Sequence, residues 1–299
     1  MPALDDLPRS LQRRLGLALR SRVAGDDASE RARLIWGRRG ERWFTPRDPV
    51  WRVHADAAMF PGGVAALLLQ SLHPSAMAGV AGHSGYRGDP WGRLQRTSHF
   101  LATTTFGTVE DATAAIDRVK AIHERVRGRD DRGVPYRASD PDLLRWVHVA
   151  EARSFLGAYQ RYATHPLTDA EADRYVEQAA VVARLLGATE VPTSVADLES
   201  ALEHYRPVLR ATEAARDAAR FLLLDPPLSW TARPGYGLLA AGGVALLPEW
   251  ARRELRLPRA RPGEVVAGGL GRVGTGVVRW AMAGVAEERA AAAEEARAG

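Results

Sequence analysis

The chain has 299 residues, 46% apolar and 26% charged, which is enough to bury one large core and an ordinary globular balance. It contains no cysteine, which removes disulfides, thiolate metal sites and cysteine nucleophiles. The formal charge of +5 comes from arginines strung along amphipathic helices, without the basic stripe and interleaved aromatics of a nucleic-acid surface, so no nucleic acid is expected as a partner.

Arg9, Arg13 and Arg14 are followed by no apolar run before Asp26 and Asp27. No secretory or twin-arginine signal is read there, and a cytoplasmic protein is expected. Residues 57–86 carry no charge and reach the length of a membrane span, but Gln70, His73 and Pro74 interrupt them. The expectation is a buried helix broken at His73-Pro74, with His73 taking up carbonyls freed by the break.

The punctuation that follows is helical. Thr108 with Asp111 caps a helix that Gly128 closes, and the polar stretch 129–135 then reads as a helix connection. Ser139 and Pro141 open a helix running to about Ala163. Thr168 with Glu171 is a capping box for a helix ending at Gly187, and Ser194 with Asp197 starts one that stops before Pro207. Another helix spans 212–224. Glycine-rich apolar helices follow at 235–247 and 265–285, and the Ala/Glu-rich tail from Glu287 frays. The charge-free stretch 234–248 is either a core helix or a membrane-surface contact.

Strand-like alternation is scarce. The expectation is an all-α, single helical domain. An N-terminal helical extension covers 1–47, the core covers 48–224, and C-terminal apolar helices over 225–299 pack on it.

One helix draws attention chemically. On the 108–128 segment Ala112, Ile116, Val119, Ile122 and Val126 recur at three- and four-residue steps, and His123 falls on that stripe. Lys120 precedes it by three residues and Arg127 follows by four, so both should share its side of the helix. Cations beside a buried imidazole disfavour its protonation and keep it able to ligate. Spacing alone leaves two readings open: a metal-ligating histidine, or a hydrogen-bonded core histidine with two snorkelling cations. Upstream, Arg93, Arg96 and Thr97 fall at helical spacing. They form either a donor cluster for oxygen species or carboxylates, or an exposed basic face. The glycine-rich stretches 268–271 and 274–276 lack the preceding strand of a dinucleotide site, and Ser84 lacks the strand–turn–helix setting of a nucleophile elbow.

Taken together, GGVAALLLQSLHP at 62–74, Gly79, Gly82-His83, RLQRT at 93–97, Phe106-Gly107, KAIHERVRG at 120–128 and YRASDPDLLRWVH at 136–148 resemble the MpaB/rubber oxygenase catalytic-domain family over about residues 48–224. Its best-understood members, the latex clearing proteins, are b-type haem dioxygenases with a globin-like helical core that cleave double bonds of polyisoprene. The resemblance implies a globin-like core and haem b, with His123 as axial iron ligand and Lys120 and Arg127 as the flanking basic pair. Arg93 and Thr97 match polar residues near the haem. Arg96 stands where those enzymes carry a lysine able to take the distal iron position, and arginine stays protonated. His83 and His99 lie near the Arg93 cluster and on this reading enter the distal pocket. His148 falls in a family motif without an assigned role.

The implied function is a haem-b-dependent oxygenase with dioxygen and an apolar or lipid-like small molecule as substrates. The alternatives are a non-catalytic haem sensor or carrier, a non-haem metal protein drawing on His54, His165 and His204 with Asp56, Glu124 and Asp140, and a helical scaffold contacting a membrane surface. His54, His165 and His204 otherwise look peripheral.

Overall fold

The computed structural model describes residues 8–25, 27–83, 87–257 and 261–285. Ser84, Tyr86 and the tail from Glu287 lie outside the described residues. The helices are α1 (Arg9–Ala24), α2 (Ala28–Ala32), a π turn (Arg33–Gly37), α3 (Pro49–Ala55), α4 (Met59–Gln70), α5 (Pro74–His83), α6 (Pro90–Phe106), α7 (Val109–His123), α8 (Pro141–Tyr162), α9 (Asp169–Leu186), α10 (Val195–Tyr205), α11 (Glu213–Leu224), α12 (Arg233–Leu246), α13 (Glu249–Glu254) and α14 (Arg261–Ala283). Two short strands, β1 (Arg127–Arg129) and β2 (Pro135–Arg137), pair antiparallel. The class is all-α, as the helical punctuation predicts.

The core forms around α8, which packs on α4, α9 and α10. Its Trp146, Val149, Ala150 and Ala158 are fully buried. On α4 the run of leucines supplies the opposing face: Leu68 and Leu69, with Leu72 just beyond, are sealed against Trp146, Tyr175 and Tyr205. Gly62 lets α4 approach, since a Cβ there would lie 3.1 Å from Ala158 Cβ.

The break at His73-Pro74 is present. α4 and α5 meet at 107°, and no single helix among the described residues is long and apolar enough to cross a membrane. The capping differs from the expectation for His73. Its Nδ1 accepts from the Ala76 N–H at 3.5 Å, at the start of α5, while the freed Leu72 carbonyl is taken by the Arg210 N–H at 2.8 Å.

The predicted capping box forms at Thr168/Glu171, the predicted helix start at Ser194/Asp197 also proves to be a capping box, and Gly187 ends α9 in the left-handed region at φ 113°. The cap of α8 is Asp140 and not Ser139, because the Asp140 carboxylate reaches the Asp142 N–H. The stretch 234–248 is largely a core helix. α12 lies between α4 and α14, with Pro234, Gly235 and Gly237 of its first turn exposed. Gly242 and Gly271 let α12 and α14 touch backbone to backbone, and α14 also packs on α1.

Two boundary readings need correction. α7 ends at His123 and not at Gly128, and residues 127–137 form a β-hairpin where a helix connection was expected. After His123 the backbone tightens: the Arg125 N–H bonds the Ile122 carbonyl and the Val126 N–H bonds the His123 carbonyl, both three-residue links. The chain then goes extended because residues 135–137 offer ladder partners. Asp130 Oδ1 accepts from the Arg132 and Val134 N–H groups, and Gly133 sits at φ 78°, which fixes the turn.

Candidate active site

The predicted site residues divide between α6, α7 and the hairpin. Asp89 caps α6 by accepting the Gly92 N–H at 2.9 Å, and Pro90 occupies the first helical position. Only Gly107 and Thr108 separate α6 from α7, so the two helices turn back on each other and pack. The Arg118 guanidinium on α7 acts on His99 of α6 across the antiparallel pair. The N-terminal half of α6 and the C-terminal end of α7 thus bring Arg93, Thr97, Lys120 and His123 to one end of the pair.

His123 is half-buried, less enclosed than its place on the apolar stripe suggests, because Ile122 beside it is 46% exposed. Burial lowers its pKa, and Glu124 next in the chain opposes that. The expected role of Lys120 and Arg127 in keeping it neutral is therefore corrected: burial does this. Lys120 is exposed. Arg127 lies past the end of α7, in β1, and not one helical turn from His123. A histidine held neutral by burial and by cations does occur, at His99, where Arg31 and Arg118 add to desolvation. Its Nδ1 is buried without a partner.

Arg93 is half-buried, whereas Thr97 and Arg96 are exposed. Arg96 is drawn back to Asp89, the cap of its own helix, at 3.1 Å. His83, the last residue of α5, is exposed.

The hairpin forms an open basic depression on the surface after the end of α7, and all its lining residues but Tyr136 are exposed. About 590 Å³ is lined by Arg127, Gly128, Arg129, Tyr136, Arg137 and Asp140, together with Pro135. Arg127 and Arg137 are cross-strand partners, so two like charges share one face. The Tyr136 ring lies against α5 where Gly79 and Gly82 leave room, and against Gly128, where an added Cβ would come within 2.8 Å of its hydroxyl. These contacts give a physical role to three glycines of the sequence pattern.

Sequence reasoning missed a second set of polar groups. His54 is not peripheral. It is enclosed between Thr105, whose Oγ1 is 2.8 Å from its Nδ1, and the rings of Phe155 and Tyr175. Desolvation lowers its pKa to about 4, and burial with Arg184 does the same for His148. Glu151, one turn beyond His148, is raised to about 7 by desolvation. The signal was available: His54 follows Val50 by four residues, and Glu151 follows His148 by three on a helix whose buried stripe includes Phe155.

Among the described residues no three His, Asp or Glu side chains converge as a metal site would require. What remains is an all-α domain with a solvent-reachable histidine at the end of α7, with the polar residues of the N-terminal half of α6 at the same end of the helix pair. The chain belongs to the family described as ER-bound oxygenase mpaB/B'/rubber oxygenase, catalytic domain, whose model matches residues 51–286. The match runs from within α3 through α14, taking in the C-terminal helices beyond residue 224. No curated protein and no solved structure matches the chain.

Proposed function

We propose that this member of an oxygenase family is haem-b-dependent, with His123 as the axial ligand, and that it uses dioxygen to oxidise an apolar or lipid-like small molecule. The observation that carries the reading is His123 itself. It is half-buried, its proton affinity is lowered by burial, and it has no side-chain hydrogen bond among the described residues. A neutral imidazole with a free nitrogen is what iron ligation needs.

The basic depression fits the same group. Arg127, Arg129 and Arg137 outnumber the single carboxylate of Asp140, and the facing pair Arg127 and Arg137 is relieved by a bound carboxylate such as a haem propionate. Haem b, when bound, supplies the redox chemistry on dioxygen. Arg93 and Thr97 would supply hydrogen-bond donors from α6 for oxygen atoms held at that site. Arg96 works from outside, steadying the first turn of α6 through Asp89. Action at a membrane surface, on a lipid-like substrate, belongs to the same proposal.

The test is the absorption spectrum of the purified protein with iron quantified. A Soret band is expected, and His123→Ala should abolish it while keeping the helical circular dichroism. Oxygen uptake with a panel of alkenes and terpenoids separates an oxygenase from a haem sensor or carrier. A colourless protein with full zinc or non-haem iron occupancy refutes the haem reading.

A further inference from the structure

We propose that α3, α6, α8 and α9 enclose a hydrated polar chamber, in which ordered water bridges the side chains of Glu151, Tyr175 and His54. The inference stands apart from the haem reading and uses none of its residues.

Two buried polar atoms here have no hydrogen-bond partner: His54 Nε2 and the Tyr175 hydroxyl. Tyr175 is fully buried, and the His54 and Tyr175 rings stand edge-on with centroids 6.0 Å apart. Phe155, one turn beyond Glu151 on α8, packs on the same His54 ring at 5.7 Å. The Glu151 charge in turn acts on Tyr175. The four residues therefore converge from three helices on one region, with Thr105 of α6 closing it.

Glu151 borders a space among these helices. Its carboxyl is deep in the helix bundle, yet the residue keeps accessible surface, and it has no hydrogen bond among the described residues. Accessible surface at that depth lines a space that reaches in among the helices.

Unpartnered buried polar groups are rare in native proteins, and those around one space are satisfied by water, which needs two to four such partners. An apolar ligand would leave every one of them unmet. A metal ion would find only one imidazole and one carboxylate, too few to replace its hydration shell. Water meets both constraints. It gives the Tyr175 hydroxyl an acceptor, and it gives Glu151, raised to about 7 by burial, a partner with which to exchange its proton.

A high-resolution crystal structure of the full chain tests this directly, paired with thermal unfolding of Tyr175→Phe. The expected result is ordered water within hydrogen-bonding distance of both Tyr175 and Glu151, with Tyr175→Phe melting a few degrees lower because the water loses a partner. A dry void, a direct Glu151–Tyr175 hydrogen bond or any other bound molecule there overturns the proposal. So does a Tyr175→Phe protein that melts at or above the wild-type temperature, the result expected when an unsatisfied hydroxyl is removed from a dry site. Infrared spectra add an independent readout. The carbonyl stretch of a buried carboxylic acid should vanish in Glu151→Gln and shift promptly in D2O, whereas a band that resists exchange counts against hydration.

Discussion

Replacing Gly271 by alanine should force α14 away from α12. The two helices cross at Gly242 and Gly271, and a Cβ on Gly271 would lie 2.5 Å from Gly242 Cα and 2.9 Å from the Tyr162 hydroxyl. The obstacle is backbone, so no side chain can rotate out of the way. Overpacking of this kind costs about 1–3 kcal/mol. Separation also strains the hydrogen bond from the Tyr162 hydroxyl to the Gly242 carbonyl, 2.8 Å long and buried, which contributes about 1 kcal/mol. The sum is about 2–4 kcal/mol, or a fall in Tm of roughly 4–12 °C for a domain of this size. Differential scanning calorimetry reads it. Gly269→Ala is the control on the same helix, since nothing lies within 4 Å of its Cβ position. There the gain in helix propensity should stabilise by up to about 1 kcal/mol. If both variants melt at or above the wild type, the tight crossing is wrong.

Further outcomes follow from other contacts. Stability should peak near pH 7, where the opposing proton uptakes of the buried histidines and Glu151 balance. His54 and His148 are depressed to about 4, so below 6.5 the unfolded chain binds protons that the folded chain does not, and stability falls with pH. Glu151, raised to about 7, has the opposite sign: its contribution is present below about 4.5 and lost as pH rises through 7. His73, His99 and His123 shift in the same direction as His54 and steepen the acid limb. In His148→Phe the slope between pH 4.5 and 6.5, read from urea melts, should drop by about one proton, near 1.4 kcal/mol per pH unit. Thr168→Ala removes the α9 cap and should cost about 0.5–2 kcal/mol in the same assay. If the haem proposal holds, Gly128→Ala, which drives the Tyr136 ring off the hairpin, should weaken retention of that haem, measured by transfer to apomyoglobin, while leaving the far-ultraviolet circular dichroism unchanged. Equal retention would separate the hairpin from the cofactor site.

The helices were legible because their signals are local. Thr108, Thr168, Ser194 and Thr212 each cap a helix through their own hydroxyl, within three residues of the group they bond. The break at His73-Pro74 is equally local, since proline has no N–H to give. The end of α7 was not legible. Nothing near Glu124 forbids helix, and what ends it is the Val126 carbonyl accepting from Ala138 and the ladder beyond, a pairing between residues about ten positions apart. The turn that makes this pairing cheap, Asp130 to Gly133, was visible in the chain but reads equally well as a helix connection.

The candidate site shows the same division with more consequence. Helical phase placed His123, Lys120, Arg93 and Thr97 at one end of the α6–α7 pair, because a two-residue connection leaves little choice of register. Phase did not fix which charge faces which. Arg96 could have entered the site by spacing alone, but Asp89, already present as the helix cap, lies seven residues back and draws the guanidinium outward. Arg127 could have flanked His123 only on a continuous helix, and the hairpin instead carries it to Arg137 and the basic depression. Both departures move positive charge away from the histidine. The imidazole then owes its neutrality to burial, so a partner that buries it further makes it a better ligand. A cofactor seated over His123 would strengthen the condition for its own binding, and the apo protein should show a higher His123 pKa than a His123 enclosed by any apolar face. Proton NMR titration of the His123 ring in the metal-free protein measures the starting value. A ring already as depressed as His54, at about 4, would mean that the site is closed without its cofactor, and the half-open geometry would have to be abandoned.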